Sequence, residues 1–283
     1  MPLIHANGAA IPALGFGTAG IAYGGPGMEG DAGVRLVAQA LRDGHRHIDA
    51  ARKYGTEKEV GQGMRASGVP RDEMFLISKV SHENLRTADF EKSVEESLRD
   101  HDDDYLDLLL VHWPNPAIPL EETMQALAKQ KRTGIARHIG IANFKTALIE
   151  DAVRLCPEPL VANEVEFHPY IDQSKVHAAT RKHGMALIGY CPFMRGGDIL
   201  NDPVIGEIAK AHGRAPAQVI LRWITQNDGL APIPKSTKPE RHREFLAIFE
   251  FELTKDEFDR IAALRSKNQR RANPPHAPVW DKP

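Results

Sequence analysis

From about residue 45 to residue 250, short apolar runs alternate with segments of helical, amphipathic period. Seven runs read as strands: RHIDA (46–50), MFLIS (74–78), YLDLLLV (105–111), HIGIA (138–142), LVANEVEF (160–167), MALIGY (185–190) and LAPIP (230–234). ALGFG (13–17) makes an eighth. Between them lie helical patterns such as DAGVRLVAQALRDG and LEETMQALAKQKRTG, several stopping at a glycine (Gly44, Gly68, Gly134, Gly184). Consecutive strands joined through helices must run parallel. Eight such units in about 250 residues predict a closed (β/α)₈, or TIM, barrel of the α/β class. No Pro/Ser/Gly-rich linker interrupts the series, so residues 1–283 read as a single barrel domain with an irregular, proline-rich tail over 270–283.

An open, doubly wound sheet is the competing architecture, because GFGTAG (15–20) matches G-x-G-x-x-G. In that motif a helix opens at the third glycine. Here IAYGGPGMEG (21–30) follows, with four more glycines and a proline. A glycine-rich turn after the first barrel strand is the better reading.

Composition narrows the function. Thirty-six Lys and Arg against 38 Asp and Glu leave a net charge of −2. That lacks the basic footprint of a dedicated nucleic-acid binder. No apolar stretch approaches the roughly 18 residues of a membrane span. The amino terminus has no secretory pattern, and Cys156 and Cys191 have no C-x-x-C spacing. A cytoplasmic setting is expected.

The reactive residues fall at one place in the repeating unit. At or just past the carboxyl ends of successive strands stand Asp49, Lys79, His112, Asn143, Glu164, Tyr190 and Lys235. In a barrel those ends share one rim, where active sites are built. A single buried histidine is ordinarily structural; seven polar residues from seven strands converging on a rim are not.

Tyr54 follows Asp49 by five residues. A phenol near pKa 10 parts with its proton reluctantly at neutral pH. A nearby ammonium, held by a carboxylate, favours the phenolate, and Lys79 and Asp49 suit those roles. A neutral His112 can hydrogen-bond a carbonyl oxygen. Together these residues form a proton donor for an oxygen becoming an alkoxide. In LAPIPKSTKPER (230–241), Lys235, Ser236, Lys238 and Arg241 gather at a helix start, which suits a phosphate.

These segments resemble the aldo-keto reductases over essentially the whole chain. GHRHIDAARKYGTEKEVG (44–61) is similar to the family segment carrying the Asp and Tyr, ISKV (77–80) to its lysine segment and LLLVHWP (108–114) to its histidine segment. GIANF (140–144), NEVEFHPY (163–170), GYCPF (189–193) and IPKSTKPER (233–241) resemble its cofactor-binding segments. The short loops and the ending APVWD look most similar to bacterial diketogluconate reductase–type members.

The resemblance implies reduction of an aldehyde or ketone to an alcohol with NADPH, by a monomer acting on a small carbonyl compound. It makes Tyr54 the proton donor, Lys79 and Asp49 its tuning pair, and His112 the group that orients substrate. Asn143 would hold the nicotinamide carboxamide, with Ala142 and Glu164 beside it, and Tyr190 would stack on the ring. Lys235, Ser236 and Arg241 would hold the 2′-phosphate, Glu244 would lie near the adenine, and Trp113 would line the substrate pocket.

Several positions depart from the family pattern. Ala142 and Cys191 replace serines, Phe245 stands where an asparagine often touches adenine, and Ala19 stands where a pocket tryptophan is common. Glu164 replaces a glutamine. An ionised carboxylate accepts hydrogen bonds but donates none. Glu164 is therefore expected to favour NADP⁺ over NADPH.

Two rival functions follow from the residues. HRHID (45–49), with His112 and His168, could form the cluster of a metal-dependent hydrolase, although His45 belongs at the strand entrance, about 6.6 Å along the strand from His47. A non-catalytic NADP(H)-binding barrel, acting as redox sensor or partner subunit, is the alternative that the fold alone leaves open.

Overall fold

The computed structural model describes residues 1–21 and 31–282. Two short strands come first, β1 (Leu3–Ala6) and β2 (Ala9–Pro12), paired antiparallel across the turn at Asn7 and Gly8. The eight barrel strands follow: β3 (Gly15–Gly17), β4 (His47–Asp49), β5 (Phe75–Val80), β6 (Leu106–Val111), β7 (Ala136–Ala142), β8 (Leu160–Glu166), β9 (Ala186–Tyr190) and β10 (Leu230–Ile233). They form one parallel sheet in sequence order from β3 to β10. The Gly17 N–H donates to the Pro234 carbonyl at 2.9 Å and closes the seam between first and last strands. That seam needs glycine: a Cβ on Gly15 would sit 2.3 Å from the Ile233 side chain.

Ten helices cover the outside: α1 (Ala32–Asp43), α2 (Glu57–Ser67), α3 (Thr87–His101), α4 (Leu120–Arg132), α5 (Thr146–Leu155), α6 (Ser174–Lys182), α7 (Pro203–Ala211), α8 (Pro216–Thr225), α9 (Glu240–Leu246) and α10 (Lys255–Ala263), counted among the described residues. The period-two alternation of strands and the 3.6 period of helices build two apolar layers. Inside the barrel, Ile77, Leu108, Leu110, Ala162 and Ile188 pack together, and Ile11 and Ala9 from the hairpin join them as a plug. Outside it, Leu76, Leu109, Val111, Ile139 and Leu187 pack against helix residues including Leu41, Val94, Leu127 and Ile149.

All eight expected strands are present, with no end shifted by more than two residues. The hairpin before them was not anticipated, because two four-residue strands around Asn-Gly give too short a pattern. The glycine motif at 15–20 contributes Gly15 and Gly17 to β3, and the first described helix begins only at Ala32. Its continuation over 22–30 lies outside the described residues. From residue 268 to 282 the chain has no helix or strand, yet it is tied down: Asp281 accepts from the main-chain N–H (2.9 Å) and hydroxyl (2.8 Å) of Thr146 at the start of α5.

Candidate active site

The rim residues meet around one buried ammonium. Asp49 ends β4 and Lys79 lies one residue before the end of β5, both pointing into the barrel. Lys79 is fully buried, and its Nζ donates to Asp49 Oδ1 and to the Ala50 carbonyl at 3.1 Å. Glu164 enters from β8 across the interior, with Oε1 3.3 Å from Lys79 Nζ. Isolated charges at such depth are expensive to desolvate, so Lys79 stays charged only because carboxylates surround it. They hold its pKa above the ordinary value although burial by itself pulls it down.

Tyr54 closes the group. It lies in a single 3₁₀ turn, Arg52–Tyr54, and its hydroxyl is 3.4 Å from Lys79 Nζ. That turn is held from behind. Arg52 bonds Glu57 of α2 (3.1 Å) and Glu96 (3.1 Å) and Asp100 of α3, while Lys53 bonds Glu83 at 2.9 Å. The His112 ring stands edge-on to Tyr54, with centroids 5.6 Å apart and planes at 82°.

The electrostatics correct one expectation. Lys79 was expected to lower the Tyr54 pKa. Burial raises it, reinforced by the charge of Asp49, and outweighs the pull of Lys79. The ammonium is already neutralised by its carboxylates, so the resting phenol is firmly protonated. Burial, then Lys79, push the His112 pKa well below its usual value, leaving a neutral imidazole.

Asn143, one residue past β7, adopts a left-handed backbone (φ 64°) that turns its side chain along the rim. Its Nδ2 donates to the His112 carbonyl at 2.9 Å, and its Oδ1 accepts from the Tyr190 hydroxyl at 2.7 Å. Ala142 is buried and offers only a methyl group. Glu164 lies two residues before the end of β8, deeper than the rim, and its Oε2 has no hydrogen-bond partner among the described residues.

The remaining expected residues of the cofactor set follow β10, in the loop after it and on α9. Lys235 is exposed and donates from Nζ to the Ala19 carbonyl at 2.8 Å. The Ser236 hydroxyl accepts the Lys238 N–H at 3.1 Å, and Arg241 and Glu244 lie on α9, with Glu244 exposed. Phe245 faces the core, its ring 5.6 Å from Phe193, so it replaces a polar contact with packing. The His-x-His pair belongs to the floor. His47 Nδ1 is 3.0 Å from the Pro12 carbonyl, and His45 packs on Phe16 and His242 with its pKa lowered by burial to about 4. No cluster of three or more His, Cys, Asp or Glu among the described residues is arranged to hold a metal.

The tail contributes residues that the sequence reading left open. Glu166, fully buried on β8, accepts the main-chain N–H groups of Arg271 and Ala272, both at 2.7 Å, and lies 2.9 Å from His168. This anchor lays His276 on His82 (3.7 Å between ring centroids, stacked) and edge-on to Trp113 at 5.3 Å. Trp280 reaches Trp113 at 6.1 Å. One signal was available: E-V-E at 164–166 sends two carboxylates to the same, inward face of a strand.

A closed parallel barrel with Asp, Tyr, Lys and His gathered at its carboxyl-end mouth defines a class of barrel oxidoreductase. A family model described as the aldo/keto reductase family matches residues 13–197 and 199–266. The chain is 38% identical over 275 residues to a methylglyoxal reductase of Salmonella typhimurium, covering 96% of this chain and 99% of that one. A solved structure of a candidate 2,5-diketo-D-gluconic acid reductase B superposes with TM-score 0.93 at 42% identity, covering 100% of this chain and 98% of the other. The Bombyx mori aldo-keto reductase in complex with NADP superposes with TM-score 0.88 at 30% identity, covering 96% and 95%. This chain belongs to the aldo-keto reductase family. It is an oxidoreductase that reduces carbonyl groups with a nicotinamide cofactor.

Proposed function

We propose that the protein reduces small aldehydes or ketones, with NADPH as the preferred cofactor and Tyr54 as the proton donor. The observation that carries this reading is the 3.4 Å approach of the Tyr54 hydroxyl to Lys79 Nζ, with His112 edge-on beside it. The buried, unpartnered Glu164 Oε2 suits a polar ligand group such as a carboxamide. NADPH, when bound, supplies the hydride equivalent.

The chain's own residues do the rest. Neutral His112 donates to the substrate carbonyl oxygen and orients it. Tyr54 gives that oxygen its proton as negative charge develops there. Lys79 then stabilises the phenolate left behind, which is needed only at that moment, and Asp49 keeps the ammonium in place. Asn143, Glu164 and the methyl of Ala142 line the carboxamide position, and Tyr190 covers the ring. Lys235, Ser236 and Arg241 take the 2′-phosphate, with Glu244 toward the adenine. Trp113, with His276 and Trp280 from the tail, walls the substrate side.

The names of the relatives point to dicarbonyl or keto-sugar substrates, and a pocket walled by Trp113, Trp280 and two imidazoles is compatible with either. In this reading the protein acts as a monomer and as a single barrel domain. Among the described residues no helix is long and apolar enough to cross a membrane. Two free cysteines support a reducing, cytoplasmic setting.

The test is a carbonyl panel followed by NADPH consumption, for wild type and Tyr54→Phe. We expect the variant to lose about 10²- to 10⁴-fold in kcat while binding NADPH normally. Equal rates would reject Tyr54 as donor; NADPH binding without turnover of any carbonyl would favour the non-catalytic reading.

A further inference from the structure

Lys79 Nζ has two carboxylates and a phenol around it, where one counter-ion would suffice. Asp49 reaches it from β4, Glu164 from β8 at 3.3 Å, and Tyr54 from the 3₁₀ turn at 3.4 Å. Tyr190, from β9, lies within electrostatic reach of Glu164. The three charged groups lie where water scarcely reaches, Asp49, Lys79 and Glu164 being 3%, 0% and 2% exposed, while Tyr54 and Tyr190 are half-buried at the edge of the group. Two buried anions against one cation leave an uncompensated negative charge, which a low-dielectric site resists. The simplest relief is a proton on one carboxyl. Asp49 makes the closer contact with the ammonium, while Glu164 keeps one oxygen with no partner, so Glu164 is the group to take it.

We propose that Glu164 is a proton-coupled sensor of cofactor redox state: it is a neutral carboxylic acid in the free enzyme and with NADPH, and it releases its proton when NADP⁺ binds. This rests on the placement of the nicotinamide beside Glu164 given above. The oxidised ring carries a positive charge that the reduced ring lacks. A new cation within about 4–6 Å favours the ionised form of a carboxyl, typically by tenfold or more. By reciprocity, deprotonating Glu164 tightens NADP⁺ by the same factor.

The electrostatics agree in direction. Burial, then repulsion from Asp49, push the Glu164 carboxyl up to about 8, against the attraction of Lys79. Near neutral pH it is therefore mostly protonated and poised to respond. The expectation from sequence, that a glutamate here favours NADP⁺, is thereby confined to pH values above about 8 in the free enzyme. Below that a carboxylic acid can donate as well as accept, as a glutamine amide does.

The experiment is isothermal titration of the purified protein with NADP⁺ and with NADPH at pH 7, in buffers of different ionisation enthalpy, for wild type and Glu164→Gln. We expect NADP⁺ binding to wild type to release between zero and one proton, NADPH binding to release less, and the difference to vanish in Glu164→Gln. From pH 6 to pH 9 the ratio of the NADPH to the NADP⁺ dissociation constant should rise about tenfold in wild type and stay flat in the variant. Infrared spectroscopy of the free protein at pH 7 should show a protonated-carboxyl stretch that Glu164→Gln lacks. Equal proton release by the two proteins, or no such band, would overturn the proposal while leaving cofactor binding intact. Failure of both proteins to bind either dinucleotide would instead overturn the function proposed above.

Discussion

Glu166 Oε1 accepts the main-chain N–H of Arg271 at 2.7 Å, and with this bond the carboxyl-end rim of the barrel takes hold of the carboxyl-terminal tail. The second oxygen holds Ala272 in the same way, so one buried carboxylate fixes two consecutive backbone groups. Beyond that anchor the chain has neither helix nor strand to keep it in place, and its aromatic contacts with Trp113 depend on where residues 271 and 272 are pinned.

Loosening the anchor should therefore change substrate handling and spare the cofactor. Glu166→Gln exchanges one strong acceptor for a donor that has no role there. We expect faster amide hydrogen exchange over 270–282 and a raised KM for carbonyl substrates, with the NADPH dissociation constant unchanged. The tail should also respond to acid. Burial by itself would raise the Glu166 pKa, but bonds from His168, Ala272 and Arg271 hold it below the ordinary value. A depressed carboxylate contributes stability above its unfolded pKa of about 4.3 and loses it as pH falls through the lower folded value. Exchange in the tail should thus accelerate below about pH 4 in wild type.

The Lys79 ammonium has a reserve counter-ion, and this makes two substitutions non-additive. In Asp49→Asn, Glu164 loses its repulsive neighbour, ionises more easily and takes over the ammonium. The single change should then cost less than the roughly 3–5 kcal/mol usual for breaking a buried pair. Asp49→Asn combined with Glu164→Gln leaves Lys79 with no carboxylate. Denaturant unfolding should show the double variant less stable than the sum of the single effects.

Glu164 itself should make the fold alkali-sensitive. Its folded pKa, about 8, lies above the unfolded glutamate value of about 4.3. The native state therefore holds an extra proton between these values, and the stability that this proton confers is present below pH 4 and lost as pH rises through 8. Glu164→Gln removes the effect. Its melting temperature relative to wild type should climb steadily from pH 5 to pH 8, and a constant difference would contradict the assignment.

Lys235 and Arg241 should set the choice between dinucleotides. Charge-assisted hydrogen bonds contribute about 1.5–3 kcal/mol each. Lys235→Ala or Arg241→Ala should weaken NADPH by about tenfold to a hundredfold and leave NADH nearly unchanged in fluorescence titrations. A parallel loss for both would move the phosphate site elsewhere.

Much of this molecule is local information. Strands of four to eight apolar residues separated by amphipathic helices dictate a parallel sheet, and parallel strands joined in this way must present all their carboxyl ends on one side. The rim positions of Asp49, Lys79, His112, Asn143 and Tyr190 follow from that rule alone, because each is counted from the end of its own strand. The hairpin at 3–12 and the path of residues 270–282 do not, since neither has a period of its own and both are placed by what they touch.

Protonation states were legible only in part. The residue types announce an acid, a base and a cation, but a pKa depends on the sum of burial and charge from segments distant in the chain. Lys79 alone would ease the proton from Tyr54; in the folded chain Lys79 still pulls that way, but burial and the neighbouring Asp49 outweigh it. Sequence determined which side chains share the rim, because strand polarity is a local property. Tertiary structure decided which of them carry protons, because desolvation and Coulomb interaction act through space.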